Sequence, residues 1–170
     1  PHMVDPSGFA SEITQPPILA WAAKAVFEVT RHVDFLRQAV PTLERYVAWD
    51  ERHRDADGDG LVEYEIEGDP LCRSGESGMD NSPRFDASKQ VAAIDFNALL
   101  VHERRCVADL LDHLGETRRA AEHREAAAKR AEAIEAALWD DDAAFYLDAV
   151  DGRRRPLRTS AGFFPLFAGT

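Results

Sequence analysis

The chain has 170 residues, of which 45% are hydrophobic and 30% charged, and its formal net charge is -11. That length supports one hydrophobic core, the apolar fraction excludes a disordered chain, and the acidity disfavours nucleic acid and anionic membrane surfaces as partners. No apolar run approaches the roughly 20 residues of a membrane span and no secretory signal is recognisable, so a cytoplasmic location is expected. Cys72 and Cys106 stand far apart with no CxxC pair, which points to two reduced thiols rather than a zinc site or a disulfide.

Pro1-His2-Met3 reads as a remnant of an expression vector, leaving 4–170 as natural sequence. After Gln15-Pro16-Pro17, the residues Ile18, Leu19, Trp21, Ala22, Ala25, Val26 and Val29 recur at helical spacing, and Pro17 suits a first helical position. The spacing predicts one helix over 17–39, stopped before Pro41, and a second, short helix after it with Leu43, Tyr46 and Val47 on its faces. From Arg54 to Gln90, glycines and prolines interrupt every helical pattern. Leu61, Val62, Tyr64, Ile66, Leu71 and Phe85 anchor this stretch, and ordered loops of such length tend to be functional.

Phe96, Leu99, Leu100, Val107, Leu110, Leu111 and Leu114 form an apolar stripe ended by Gly115, the signature of a third helix. Arg118 to Leu138 reads as a fourth, with Ala120, Ala127, Ala131, Ile134 and Leu138 on one side. The short link makes the two antiparallel neighbours. A second irregular stretch, Trp139 to Ser160, holds a short strand near Phe145, Tyr146 and Leu147, and Ala161 to Ala168 begins a further helix. The expected class is all-α.

Chemistry is densest in Glu76-Ser77-Gly78-Met79-Asp80-Asn81-Ser82-Pro83-Arg84-Phe85-Asp86, three carboxylates and an arginine among residues that force the chain to turn. Such a loop can aim a carboxylate, and glycosidic cleavage needs an acid that protonates the leaving oxygen with a second carboxylate across the sugar. On composition alone, it reads as an ordered surface turn rather than a site.

As a whole string, this loop resembles the one that carries the general acid in glycoside hydrolase family 63 and its mannosylglycerate and glucosylglycerate hydrolase relatives. Ile13 to Pro17, Asp57 to Tyr64, Asp95 to Leu100 and Ala161 to Gly169 resemble that family in the same order. The resemblance implies a partial (α/α)6 barrel of antiparallel helical hairpins, hydrolysis of α-linked glucosides or mannosides with inversion, a carbohydrate as partner, no cofactor for the reaction, and Asp80 as proton donor. It also implies a base from a later segment, so 4–170 is expected to be a fragment of the catalytic domain and inactive by itself. Gly75 departs from the aromatic residue that the glycerate-glycoside hydrolases place before this glutamate, which makes other small glycosides or oligosaccharides at least as suitable as substrates.

Gln15 resembles a sugar-hydroxyl ligand of that family; otherwise it is an exposed residue before a proline start. Glu76 and Asn81, either side of Asp80, are further candidate substrate contacts. Arg84 either orders the loop by pairing with Glu76 or Asp86 or meets the substrate. Asn97 faces the sugar pocket or solvent. Asp55, Asp57 and Asp59 open like a calcium loop, but Ile66 stands where the bidentate glutamate belongs, so a structural calcium would need Glu63 or Glu65 instead. Two other readings compete: a helical-hairpin scaffold without catalysis, and a trehalase-like or debranching-type enzyme. A partial barrel would expose apolar helix faces, which invites a homo-dimer or exchange of elements.

Overall fold

The computed structural model describes residues 13–66, 73–79, 81–86 and 90–170; Pro1-His2-Met3, Cys72 and Asp80 lie outside the described residues. Where the apolar spacing predicts one helix stopped before Pro41, the chain forms two: α1, Leu19–Thr30, and α2, Val33–Arg54. The break comes early because Arg31 turns into the left-handed region (φ 56°) and its N–H closes on Phe27 O at 2.8 Å. Pro41 instead lies inside α2. Proline cannot bond the carbonyl four residues back and costs a helix interior ~3 kcal/mol. Here Arg37 and Pro41 are both exposed, so the unmatched carbonyl faces water. The opposite side buries Leu36, Val40, Leu43 and Val47, at ~1.5–3 kcal/mol for each side chain fully removed from water, which outweighs the loss.

Helix α3, Ile94–His113, ends as its glycine predicts. Gly115 has φ 76°, its N–H bonds Asp112 O and the Glu116 N–H bonds Leu111 O, both at 3.0 Å, which satisfies two terminal carbonyls. After a link of three residues, 114–116, α4, Thr117–Leu138, runs back along α3 with Ala120, Ala127, Ile134 and Leu138 buried. Helix α1 has no side-chain cap of its own. Glu103 of α3 supplies one, accepting from Ala20 N at 2.6 Å and Trp21 N at 2.9 Å, a carboxylate at the positive end of a helix.

The chain is mainly helical, with more strand than the single short one expected. Strands β1 (Glu63–Glu65), β2 (Gln90–Ala92), β5 (Ala149–Val150) and β6 (Arg153–Arg154) make one antiparallel sheet in the order β1-β2-β5-β6. Tyr64 lies opposite Val91 and Ala92 opposite Ala149. A separate hairpin pairs β3 (Trp139–Asp140) with β4 (Phe145–Tyr146). These strands have two or three residues each, too short for an alternating pattern to stand out.

A 3-10 turn, Ser160–Phe163, leads into the short α5, Phe164–Ala168. Trp21 of α1 meets Phe167 edge to face at 5.3 Å between centroids, and these two with Phe163 and Leu166 leave an apolar surface open. No described helix is long and apolar enough to cross a membrane. Gly162 is pressed against the β3–β4 hairpin: an added Cβ would collide with the Phe145 ring and lie 2.7 Å from the Tyr146 carbonyl oxygen. Gly162→Ala should therefore lower stability by ~1–3 kcal/mol, read as a shift of the denaturation midpoint. An unchanged midpoint would show that the hairpin gives way freely.

Candidate active site

The turn-rich loop is an excursion between two paired strands. It leaves β1 and returns in β2, whose register sets Glu65 against Gln90. Below it lies an apolar floor in which Tyr64 stacks on Phe96 at 4.6 Å and meets Phe85 edge-on at 6.2 Å. Phe85 is the loop's own anchor in that floor.

Two buried ionic clamps hold the loop. At its first end Glu76, 1% exposed, pairs with Arg54 from the end of α2. Its carboxylate also accepts from Arg54 Nε at 3.1 Å, Thr14 N at 3.0 Å and Glu65 N at 3.0 Å. One side chain thus joins the loop to the segment before α1, to α2 and to β1. At the second end Arg84, also 1% exposed, is gripped from both sides. Asp95 takes Nη1 and Nη2 at 2.8 Å each, and Asp148 takes Nε at 2.7 Å and Nη2 at 2.6 Å. Burial alone would lower the Arg84 pKa, but the two carboxylates raise it above the ordinary arginine value. The cation is permanent.

Between the clamps the chain turns tightly. Gly78 has φ 67°, Ser77 Oγ accepts from Met79 N at 2.9 Å, and Ser82 N bonds Met79 O at 2.8 Å. Ser77, Gly78 and Met79 with Asp95, Trp21 and Phe163 border an open cleft of about 590 Å³, a volume in the range of small-molecule sites.

The candidate residues separate by burial. Asp80 lies outside the described residues, between Met79 and Asn81, which are described. Gln15 sits beside the loop, its Nε2 donating to Gly75 O at 3.0 Å and its carbonyl accepting from Tyr46 OH at 3.1 Å. Asn81 is exposed, and its carbonyl accepts from Arg73 Nη1 at 3.0 Å. Glu76 and Arg84 are in the clamps, and Arg84 pairs with neither Glu76 nor Asp86. Glu76 is saturated by Arg54, while Asp86 meets Arg73 at 2.6 Å. Asn97 faces neither cleft nor solvent. It is fully buried, donating to Val62 O and Ala93 O at 2.9 Å each and accepting from Val62 N at 2.9 Å and Arg130 Nη1 at 3.0 Å. The expectation of a polar side failed because the first turns of α3 are buried all round.

The carboxylate oxygens of Asp55, Asp57 and Asp59 lie within 4.8 Å of one another. Asp57 and Asp59 each accept a backbone N–H two residues on, and buried Asp55 Oδ1 has no hydrogen-bond partner among the described residues. Glu63 stands by them, its pKa pushed up to about 7 by burial and by the three aspartates. Three carboxylates are a hard, all-oxygen set of the kind that calcium takes.

No role follows from the sequence for Arg54, Asp95, Asp148 or Asp50. Asp148 had one signal, being the sole charge within Phe145 to Val150. Asp50 accepts from Thr14 Oγ1 at 2.5 Å, next to the Glu76 clamp. Burial, opposed by that bond, pushes its pKa up to about 7. A carboxyl whose folded pKa lies above its unfolded value contributes stability that is complete below the unfolded value and is lost as pH rises through the folded one. Thermal stability should thus fall between about pH 4 and about pH 7, and less so in Asp50→Asn. Parallel melting curves for the two proteins across that range would place the titration elsewhere.

Residues 3–170 match the family profile of the mannosylglycerate hydrolase MGH1-like glycoside hydrolase domain. A mannosylglycerate hydrolase of Thermus thermophilus is 28% identical, the match covering 94% of this chain and 51% of that protein. An uncharacterized protein of Borreliella burgdorferi is 29% identical over 89% of this chain and 30% of its own length. Among solved structures, the family 63 mannosylglycerate hydrolase of Thermus thermophilus in complex with Tris superposes with a TM-score of 0.81 at 26% identity, over 98% of this chain and 54% of that one. The same enzyme in complex with glucose gives 0.78 at 28% identity, over 99% and 50%. The chain therefore spans about half the length of the hydrolase it matches.

Proposed function

This chain belongs to the mannosylglycerate hydrolase MGH1-like glycoside hydrolase family, and on that premise we propose that it forms part of an inverting hydrolase of α-linked glucosides or mannosides in which Asp80 is the general acid. The observation that carries this reading is the loop itself, a turn gripped at both ends by buried ion pairs beside an open cleft. A proton donor must meet the leaving oxygen in a fixed direction, and a loop so held supplies one. Gln15 and Asn81, neither of them buried, are proposed to meet the sugar; Glu76, Arg84 and Asn97 act through the scaffold.

Inversion needs a base about 6.5–9.5 Å from the acid, across the ring. Glu76 is a poor base, because Arg54 and two backbone N–H groups occupy its oxygens. The base is proposed to come from another part of the protein, and the open faces of α1 and α5 are where that part, or a second copy, would pack. With Gly75 in place of an aromatic residue, the proposed substrates extend to small glycosides and oligosaccharides besides the mannosylglycerate of the Thermus enzyme's name.

In the whole protein, Asp80→Asn should cut turnover of alkyl glycosides by ~10²–10⁴-fold, measured as kcat on a panel of α-glucosides and α-mannosides. Near-normal turnover would remove Asp80 from the mechanism. Calcium at Asp55, Asp57, Asp59 and Glu63 is proposed as structural, bound weakly and bracing the link from α2 to β1. Adding calcium to metal-free protein should then raise the melting temperature of the native chain and not of Asp57→Ala. Equal curves with and without the ion would leave a plain turn.

A further inference from the structure

Asp148 is 64 positions from Arg84 in sequence, yet its carboxylate takes two of the guanidinium's N–H groups. The same Oδ1 accepts from Ile94 N at 3.0 Å, at the start of α3. Its own chain neighbour Ala149 pairs with Ala92 in β2, the strand into which the loop returns. Seven residues on, Arg155 donates to Arg84 O at 2.8 Å and Asp86 O at 3.1 Å, while its N–H bonds Asp148 O at 2.8 Å. The segment from Asp148 to Arg155 therefore holds the second arm of the loop by side chain and by backbone.

Asp95, through Nη1 and Nη2, fixes one edge of the guanidinium plane. The second carboxylate fixes the other edge. Arg84 Nη1 also lies 3.9 Å from Met79 Sδ, so the plane set by the two aspartates touches the residue directly before position 80. From this geometry we propose that Asp148 is a positioning residue for the general acid: through Arg84 it sets the direction in which the loop presents its proton donor. The proposal rests on the hydrolase reading given above.

A misdirected acid harms most the reactions that need its proton. Alkyl glycosides expel a basic alkoxide, whereas activated aryl glycosides such as dinitrophenyl glycosides expel an anion that leaves largely unprotonated. In the whole protein, Asp148→Asn should lower kcat on an alkyl α-glycoside at least about tenfold more than on the dinitrophenyl glycoside of the same sugar. Asp148→Glu, which keeps the charge, should recover part of that difference. In the whole protein, Asp148→Asn should also speed amide hydrogen exchange over 77–86 while α3 and α4 keep their protection. Equal losses on both substrates, or loop exchange unchanged from the native chain, would overturn the positioning role. If Asp148→Asn does not fold, Asp148→Glu decides: it must show the substrate difference in smaller degree, and equal losses overturn the role. Absence of turnover by the unaltered whole protein on every glycoside would instead overturn the hydrolase reading, and this inference with it.

Discussion

From Ile94 to Val101 helix α3 is buried on every side, and that burial dictates much of what surrounds it. A helix packed all round cannot send its polar side chains to water, and each unpaired group would cost ~1–3 kcal/mol or more. Asp95 and Asn97 are accordingly spent as connectors, joined about two turns later by the buried Glu103. Asp95 reaches Arg84 in the turn-rich loop, Asn97 stitches the strand entry at Val62 and Arg130 of α4, and Glu103 closes the start of α1. The helix is a central post whose polar residues fix the positions of the elements around it.

The loop above this post is held by charge where an apolar anchor would have been thermodynamically easier. A buried ion triad is seldom more stable than well-packed apolar residues of the same size, although removing one of its members costs ~3–5 kcal/mol. What Asp95, Arg84 and Asp148 add is direction. The apolar contacts of Phe85 in its floor are non-directional, whereas a guanidinium plane held along two edges is fixed in direction. Glu76 does the same at the other end with four groups from three segments. The loop thus combines an apolar anchor for adhesion with two ionic ones for orientation.

Much of this was legible in the sequence, for identifiable reasons. The α3 stripe and the Gly115 cap show at fixed spacing, as do the alanines of α4, because local periodicity encodes them. Pro41 misled because what it costs depends on where the freed carbonyl points, which spacing does not reveal. The turns from Glu76 to Asp86 were legible because glycine, asparagine and proline force them, while the proposed chemistry rests on the resemblance of the whole string. Its supports were hidden. Arg84–Asp148 and Glu76–Thr14 join residues more than sixty positions apart, and nothing local at Asp148 beyond its apolar neighbours sets it apart from any other acid. Asn97 misled for the opposite reason, since a polar residue at a helix start resembles a solvent face until the whole circumference is known to be buried.

The occupation of Glu76 also bears on how the proposed reaction is divided. Were it free, the loop would carry two carboxylates four residues apart, close enough in sequence to move together. Arg54 and the backbone N–H groups of Thr14 and Glu65 commit one of them to holding the loop, which leaves Asp80 as the loop's candidate for chemistry. An inverting site needs its two carboxylates on opposite sides of a sugar, at a spacing that admits a water molecule. A separation set by two independently braced segments keeps that gap steady when either side chain fluctuates, and the double clamp on this loop is one such brace.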